Sequence, residues 1–379
     1  MRLDIIGADM ITAQAVGRHA VFEAMLNGVI GVGKLRHLDG ARYRGQYAYE
    51  IAGGGQSRST QWLVRVVTTA LDEARINPRS ERVVVLVGTG LREQASLESW
   101  YCEDQPFALD GWDYRGALQA ALGTDLRVFT FVNACSASLC CLSLAHDMLK
   151  LGQADAVVVA GTDSLTSSMY GLLDRANGET PEVIQPFDRL RKGVLMGEGA
   201  AAVVLRRAPS DGSRDVRSLG RLGAVVQNCD AVHETAPDPA GIGRVLRLAH
   251  DEAGIAPHDI DLILAHGTGT RLNDDTEALA LADFYGDSAA RVMLSGVKAM
   301  TGHTAGASGL ISLITGIHIM QDGKVPPQPG LHDPIDAAAR FDVVTERRDG
   351  CRVGRIQVDA FGFGGVNAVA ILERADGSH

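Results

Sequence analysis

The sequence predicts an α/β protein built as a tandem duplication, and three observations carry that expectation. Short β-branched runs end in glycine, helical stretches alternate with them, and a glycine-rich turn followed by a strand occurs once in each half. The N-terminal segment Met1 to Gly7 reads as a first strand. Val83 to Val87, ending in Gly88-Thr89-Gly90, reads as the next. Val128 to Val132, Ala156 to Ala160 (closed by Gly161), Leu262 to Ala265 and Ile356 to Ala360 follow. Continuous apolar runs of this kind suit strands covered on both faces. Between them, Thr60 to Ala74, Ala137 to Leu151, Gly243 to Ala253 and Asp275 to Phe284 read as helices.

The echo between halves is specific. Gly88-Thr89-Gly90 in the first half answers Gly267-Thr268-Gly269-Thr270 in the second. The run from Gly197 through Leu205 answers the run from Gly362 through Ala370. The expected division is therefore 1–210 and 220–375. The loop-like stretch around Pro209 to Ser213 joins the two, and a second loop lies at Pro326 to Gly330. The tail from Asp376 to His379 is expected to fray.

The chain has 379 residues, 46% hydrophobic and 22% charged, so it can bury a large core. Its formal net charge of -10 argues against broad nucleic-acid binding, which needs a basic face. The six cysteines form no CxxC pair, and no histidine sits at metal-ligand spacing from them. Neither a disulfide framework nor a metal site is expected. Without a leader-like N-terminus or an apolar run long enough for a membrane, a cytoplasmic protein is expected.

Chemistry concentrates at four side chains. Cys135 follows directly on the Val128 to Val132 strand and stands at the start of a helix that Gly152 stops. Free N–H groups and the helix dipole there favour thiolate, the nucleophile for a thioester, and the same N–H groups can bind an oxyanion. Taken alone, Cys135 reads first as a small buried residue, as Cys140 and Cys141 are expected to be. His266 ends a buried strand, where α/β proteins build sites. Lys298 and His303 stand close to the start of another small-residue helix. A neutral imidazole can donate its N–H to a developing enolate, and two such donors suit loss of CO2 from a malonyl thioester. Lys298 could orient a histidine or attract the departing carboxylate. Each histidine alone could equally be a core residue.

Taken together, these segments resemble the beta-ketoacyl-acyl-carrier-protein synthases, the elongating ketosynthases of fatty-acid and polyketide synthesis. The motifs run in order. Asn133-Ala134-Cys135-Ser136-Ala137-Ser138 resembles the family's nucleophile motif, and Pro186-Phe187-Asp188 with Gly193 and Gly197 to Ala200 its middle motif. Ala265 to Thr270, Val297-Lys298 to Gly302-His303, and Phe361 to Gly365 with Asn367 resemble the two histidine motifs and the C-terminal glycine loop.

The resemblance implies a duplicated five-layered α-β-α-β-α thiolase fold and a homodimer, or a heterodimer with a second ketosynthase-like subunit. It makes Cys135 the acylated residue, His266 and His303 the decarboxylation and condensation pair, and Lys298 their support. The backbone N–H groups of Cys135 and Phe363 become the oxyanion hole. Phe361, Phe363, Gly364, Thr268 and Thr270 become the site loops, with Phe363 as acyl-pocket gate. Substrates would ride on the phosphopantetheine of an acyl carrier protein, with no bound cofactor. Ser312 stands where many fatty-acid members have glutamate, and Arg271 and Asn273 replace common proline and glycine. These departures, with a shorter region before Cys135, point towards secondary metabolism. A degradative thiolase would need a second cysteine in the Phe361 to Gly365 loop. An initiating condensing enzyme would lack His303. A chain-length-factor partner would lose Cys135, and an acyltransferase that never decarboxylates could lose either histidine.

Overall fold

The structure is a computed structural model that describes residues 3–53, 55–208 and 217–375. The expected joining loop at Pro209 to Ser213 and the tail from Asp376 lie outside the described residues, as do Met1 and Arg2. In the first half the strands are β1 (Leu3–Thr12), β2 (Val83–Thr89), β3 (Arg127–Val132), β4 (Ala156–Asp163) and β5 (Gly199–Arg207). In the second they are β6 (Gly220–Cys229), β7 (Leu262–Leu264), β8 (Met293–Ser295), β9 (Asp342–Val343), β10 (Arg355–Gly362) and β11 (Val366–Glu373).

The topology shows the duplication directly. The first half runs β3-β2-β4-β5-β1, and the second runs β8-β7-β10-β11-β6 with β9 added outside β8. Counted from the start of each half, both orders are third, second, fourth, fifth, first. The directions match as well. The first three strands of each order are mutually parallel, and the last two pair antiparallel. The halves meet where the two first strands pair antiparallel, Leu3 opposite Leu222 and Ile5 opposite Gly220. Arg221 Nε bonds Asp4 Oδ1 at 3.3 Å across that seam.

Five helices complete the layers: α1 (Arg58–Ala74), α2 (Ala137–Lys150), α3 (Pro239–Ala253), α4 (Arg271–Tyr285) and α5 (Ser308–Asp322). Leu63, Val66, Val67 and Ala70 of α1 cover one outer face against Val85, Val158 and Val204. Val245, Leu246 and Ala249 of α3, with Ala278 and Leu281 of α4, cover the other. Between the two halves of the sheet lie α2 and α5, sharing one core with strands of both halves. Every residue of α5 from Ser308 to Met320 is buried, as a helix covered on all sides requires.

Three expectations shift. The strand at Val128 to Val132 is not covered on both faces. It is the sheet's edge, with Phe129 43% and Val132 46% exposed. The helices expected from Gly243 and Asp275 each begin four residues earlier. Asp238 caps α3 through Ala240 and Gly241 N–H, with Pro239 in its first turn, and this outweighs the two glycines that follow. Thr270 caps α4 by accepting from Asn273 N–H. The loop at Pro326 to Gly330 carries a structural clamp. Its buried Gln328 accepts from Gly296 N–H and donates to the Pro186 carbonyl.

Candidate active site

The duplication prepares two equivalent turns at the centre of the molecule. In each half a short 3-10 turn leads into the central helix, Ala134–Ser136 before α2 and Ala305–Ala307 before α5. Each opens on an alanine in the left-handed region, Ala134 at φ 49° and Ala305 at φ 42°. Cys135 occupies the middle of the first turn and Gly306 the middle of the second. A Cβ on Gly306 would lie 2.5 Å from the Thr89 backbone, so a second nucleophile has no room there. The hairpin between β10 and β11 packs over the first turn. A Cβ on Gly362 would meet Ser136 Oγ at 3.1 Å and Cys135 N at 3.4 Å. Gly364 and Gly365 supply the positive φ (83° and 75°) that the hairpin needs.

The Cys135 sulfur is half-buried, and the backbone N–H groups of Phe363 and of Cys135 itself bond it. Burial pushes the thiol up to about 11, opposed by the Lys298 charge and those two N–H groups. Desolvation here outweighs the Lys298 charge and the two N–H groups, against the expectation of an acidic thiol.

Both histidines face this sulfur. His303 Nε2 lies 3.0 Å from it, and the Cys135, His266 and His303 donor atoms all fall within 4.8 Å of one another. The two rings stand at 5.6 Å and 85°. Their outward nitrogens are occupied. Ala305 N–H donates to His303 Nδ1 at 3.1 Å, and Ser308 Oγ lies 3.2 Å from the same atom. Lys298 Nζ approaches His266 Nδ1 at 3.4 Å and donates to the His266 carbonyl. A nitrogen that accepts from such donors leaves the ring proton on Nε2, which in His303 lies against the sulfur, while His266 brings a ring nitrogen within 4.8 Å of it. Burial keeps both neutral. His303 is lowered to about 3, and His266, also beside Lys298, well below the ordinary range. A Cys-His-His trio could ligate a metal, but metal-bound imidazoles donate from the outer nitrogen and expose a lone pair inwards. These two do the reverse, with the Lys298 cation alongside.

Lys298 is buried, and desolvation lowers it to about 8 against the pull of Glu277. Four carboxylates that the motifs did not single out build the walls. Glu277 accepts from His266 N–H and Gly267 N–H at 2.7 and 2.9 Å, fixing the end of β7. Asp274, one helical turn earlier, accepts from Thr268, Gly269 and Phe187 N–H. Asp163 accepts from Gly90, Leu91 and Gly306 N–H and from Thr89 Oγ1. Burial raises it to about 6. Asp359 lies two residues before Phe361 on β10. The sequence held a signal for Asp274 and Glu277: acidic residues three apart, just after a glycine-rich strand end, share one helix face.

The remaining expected residues divide by role. Thr268 and Thr270 bond each other at 2.9 Å at the base of α4. Phe361 is 4% exposed and packs edge-on to His266, so it belongs to the core. Phe363 is 46% exposed on the hairpin above the sulfur. Cys140 and Cys141 are buried packing residues, and Ser312 is buried on α5.

Fold and site together define a thiolase-like condensing enzyme. Residues 2–210 match the beta-ketoacyl synthase N-terminal domain and residues 220–332 its C-terminal domain. The 3-oxoacyl-[acyl-carrier-protein] synthase 2 of Coxiella burnetii is 27% identical over 409 residues, covering 98% of both chains. Nodulation protein E of Rhizobium meliloti is 32% identical over 261 residues, 68% of this chain and 65% of that one. Among solved structures, the ishigamide ketosynthase/chain length factor superposes with a TM-score of 0.89 at 27% identity over 99% of both chains. The chain belongs to the beta-ketoacyl synthase family, and it is an acyltransferase that forms carbon–carbon bonds. No helix among the described residues is long and apolar enough to cross a membrane.

Proposed function

We propose that the chain holds an acyl group as a thioester on Cys135 and extends it with a malonyl-type unit delivered by an acyl carrier protein. One observation carries the reading: two neutral imidazoles from separate elements bring ring nitrogens to one sulfur. In the first half-reaction the Cys135 sulfur attacks the carrier thioester, and its proton leaves with the carrier thiol. The N–H groups of Cys135 and Phe363 bind the transient oxyanion. In the second, the malonyl carboxylate departs as CO2. The electron pair moves onto the thioester oxygen, which both Nε2–H groups stabilise. The carbanion attacks the acyl carbonyl, and Cys135 leaves as thiolate and takes a proton from solvent. Lys298 positions His266, and Phe363 gates entry for a phosphopantetheine arm.

A relative named 3-oxoacyl-[acyl-carrier-protein] synthase 2 and another, from Streptomyces virginiae, named putative polyketide beta-ketoacyl synthase 1 support fatty-acid or polyketide synthesis as the pathway of this chain. The division into a nucleophile half, 1–210, and a histidine half, 220–375, follows the repeated strand order. An intact Cys135 stands against a purely chain-length-setting role. The test is intact-mass measurement after incubation with acyl carrier proteins of different chain lengths, then addition of malonyl carrier. An acyl increment on Cys135 followed by an elongated carrier product is expected. Release of CO2 with no acylated protein would overturn the reading.

The edge strand β3 supports a dimer. An exposed edge bearing Phe129 and Val132 leaves its outward backbone groups unpaired and favours pairing with a second, related chain. Sedimentation of the full chain should give twice its 40.1 kDa mass, and Phe129→Asp should shift it towards monomer. A wild type that sediments as monomer at all concentrations refutes the pairing.

A further inference from the structure

The turn before α5 carries a pair of buried hydroxyls for which the matching turn before α2 has no counterpart. With Gly306 equivalent to Cys135, Thr304 is equivalent to Asn133 and Ser308 to Ala137. The backbones of the two turns agree. Ser308 stands at φ -53° and ψ -44°, and Ala137 at φ -52° and ψ -46°. An alanine therefore starts the helix equally well at this position, and the fold does not call for the Ser308 hydroxyl. What that hydroxyl touches is His303.

Three groups form a chain. Thr304 Oγ1 lies 3.0 Å from Ser308 Oγ, and Ser308 Oγ lies 3.2 Å from His303 Nδ1. Thr304 is 1% exposed and Ser308 5%, so both hydroxyls depend on partners inside the protein. Each has one proton to give. The direction of the chain follows from Ala305, whose N–H can only donate and does so to His303 Nδ1 at 3.1 Å. Nδ1 therefore carries no proton, and its lone pair is what the Ser308 hydroxyl meets. If Ser308 turned its proton to Thr304, lone pairs on Oγ and Nδ1 would oppose each other. The Thr304 proton would then have no acceptor among the hydrogen bonds of the described residues. The arrangement that uses both protons runs from Thr304 through Ser308 to Nδ1.

We propose that Ser308 and Thr304 are positioning residues for His303: their hydroxyls form a donor chain that ends on Nδ1 beside the Ala305 N–H, holds the ring proton on Nε2 and strengthens Nε2–H as a donor. Hydrogen bonds in series polarise one another. Electron density drawn towards Nδ1 leaves Nε2–H more positive, on the side where the malonyl oxygen gains charge. The chain serves His303 alone, because Lys298 stands at the outer nitrogen of His266. The assignment deepens the decarboxylating role of the site and rests on it, but its first test needs no substrate.

Nitrogen NMR of the full chain carrying isotope-labelled histidine rings reads the hydrogen bonds directly. The His303 signals are those that His303→Ala lacks. In the wild type, Nε2 should carry the proton, and Nδ1 should show the shift of an imine nitrogen that accepts hydrogen bonds. In Ser308→Ala, which copies the alanine of the first half, the Nδ1 signal should move towards that of a free imine nitrogen. Thr304→Val should move it the same way by less, and Thr304→Ser should restore the wild-type position. A proton on Nδ1 in the wild type, or an Nδ1 signal that Ser308→Ala leaves in place, overturns the proposal. If Ser308→Ala does not fold, Thr304→Val decides in its stead, and an unmoved signal there overturns the chain. In turnover, Ser308→Ala should lower kcat for decarboxylation of a malonyl carrier by about 3- to 10-fold, the worth of one hydrogen bond, with KM unchanged and loading of Cys135 affected less. A role confined to packing would not shift Nδ1 in Thr304→Val and recover it in Thr304→Ser. Equal losses of loading and decarboxylation in Ser308→Ala would also overturn the assignment. Absence of decarboxylation in every protein would count against the condensing role alone, since the spectra do not depend on it.

Discussion

Cys135→Ala should show no acyl increment from any carrier protein, and its condensation rate should fall by roughly 10^4-fold or more, since the covalent route is removed outright. Decarboxylation of a malonyl carrier should persist in the same protein. The alanine leaves the two imidazoles on their own supports, because Ala305 N–H and Lys298 hold them independently of the sulfur. It also frees His303 Nε2–H from its 3.0 Å contact with the sulfur. The two half-reactions should therefore separate cleanly. Intact mass reads the first, and the conversion of malonyl to acetyl carrier reads the second. An acyl increment surviving on Cys135→Ala would place the nucleophile elsewhere and remove the basis of the proposed mechanism.

How the sulfur becomes reactive follows from its surroundings and not from its acidity. A thiol held at about 11 carries little thiolate at neutral pH. The groups that would stabilise the thiolate are nonetheless in place: the Cys135 and Phe363 N–H groups, His303 Nε2–H and the Lys298 charge. In the proposed mechanism the same N–H pair serves the oxyanion of the thioester adduct, so stabilisation arrives as the carbonyl does. Protection of the resting thiol is a consequence of burial, and its cost is met only when substrate enters.

What the sequence made legible was whatever is local. Cys135, His266, Lys298 and His303 stand at strand ends or helix starts, and each was readable from the elements around it. The strand order could not be read, because β1 pairs with β6 across 217 residues at Asp4 and Arg221, and nothing local specifies that. The exposure of β3 was equally hidden. Its apolar run looks like a buried strand, and only its position at the edge of the sheet distinguishes it. The carboxylate walls were missed for a related reason. Asp163 and Gly306 are 143 residues apart, and their bond exists only once the two halves close on each other. The duplication explains why one motif lacks a counterpart. Gly306 occupies the position equivalent to Cys135, and the Thr89 backbone leaves it no room for a side chain.

His266→Ala and His303→Ala should each keep the acyl increment on Cys135 and each lose decarboxylation by about 10^2–10^3-fold, the cost of one oxyanion donor. The separation follows from geometry. In the proposed mechanism, thioester exchange uses the backbone N–H groups of Cys135 and Phe363, whereas the enolate relies on the two Nε2–H groups. His303→Ala should also slow loading modestly, because its Nε2–H touches the sulfur, and His266→Ala should not. Neither imidazole gains a proton near neutral pH, with His303 at about 3, so neither generates an acid limb there. The alkaline limb belongs to Lys298 at about 8. Above that pH its ammonium becomes a neutral amine that can accept as well as donate, and the tautomer that presents Nε2–H is no longer enforced. Decarboxylation in the wild type and in His303→Ala should therefore fall as pH rises through that region. In His266→Ala, where Lys298 has no ring to orient, the fall should flatten. Single-turnover mass measurement of loading, and carrier conversion as a function of pH, separate these outcomes. Equal loss of loading and decarboxylation in both variants would mean that the histidines act on the thiol and not on the malonyl oxygen.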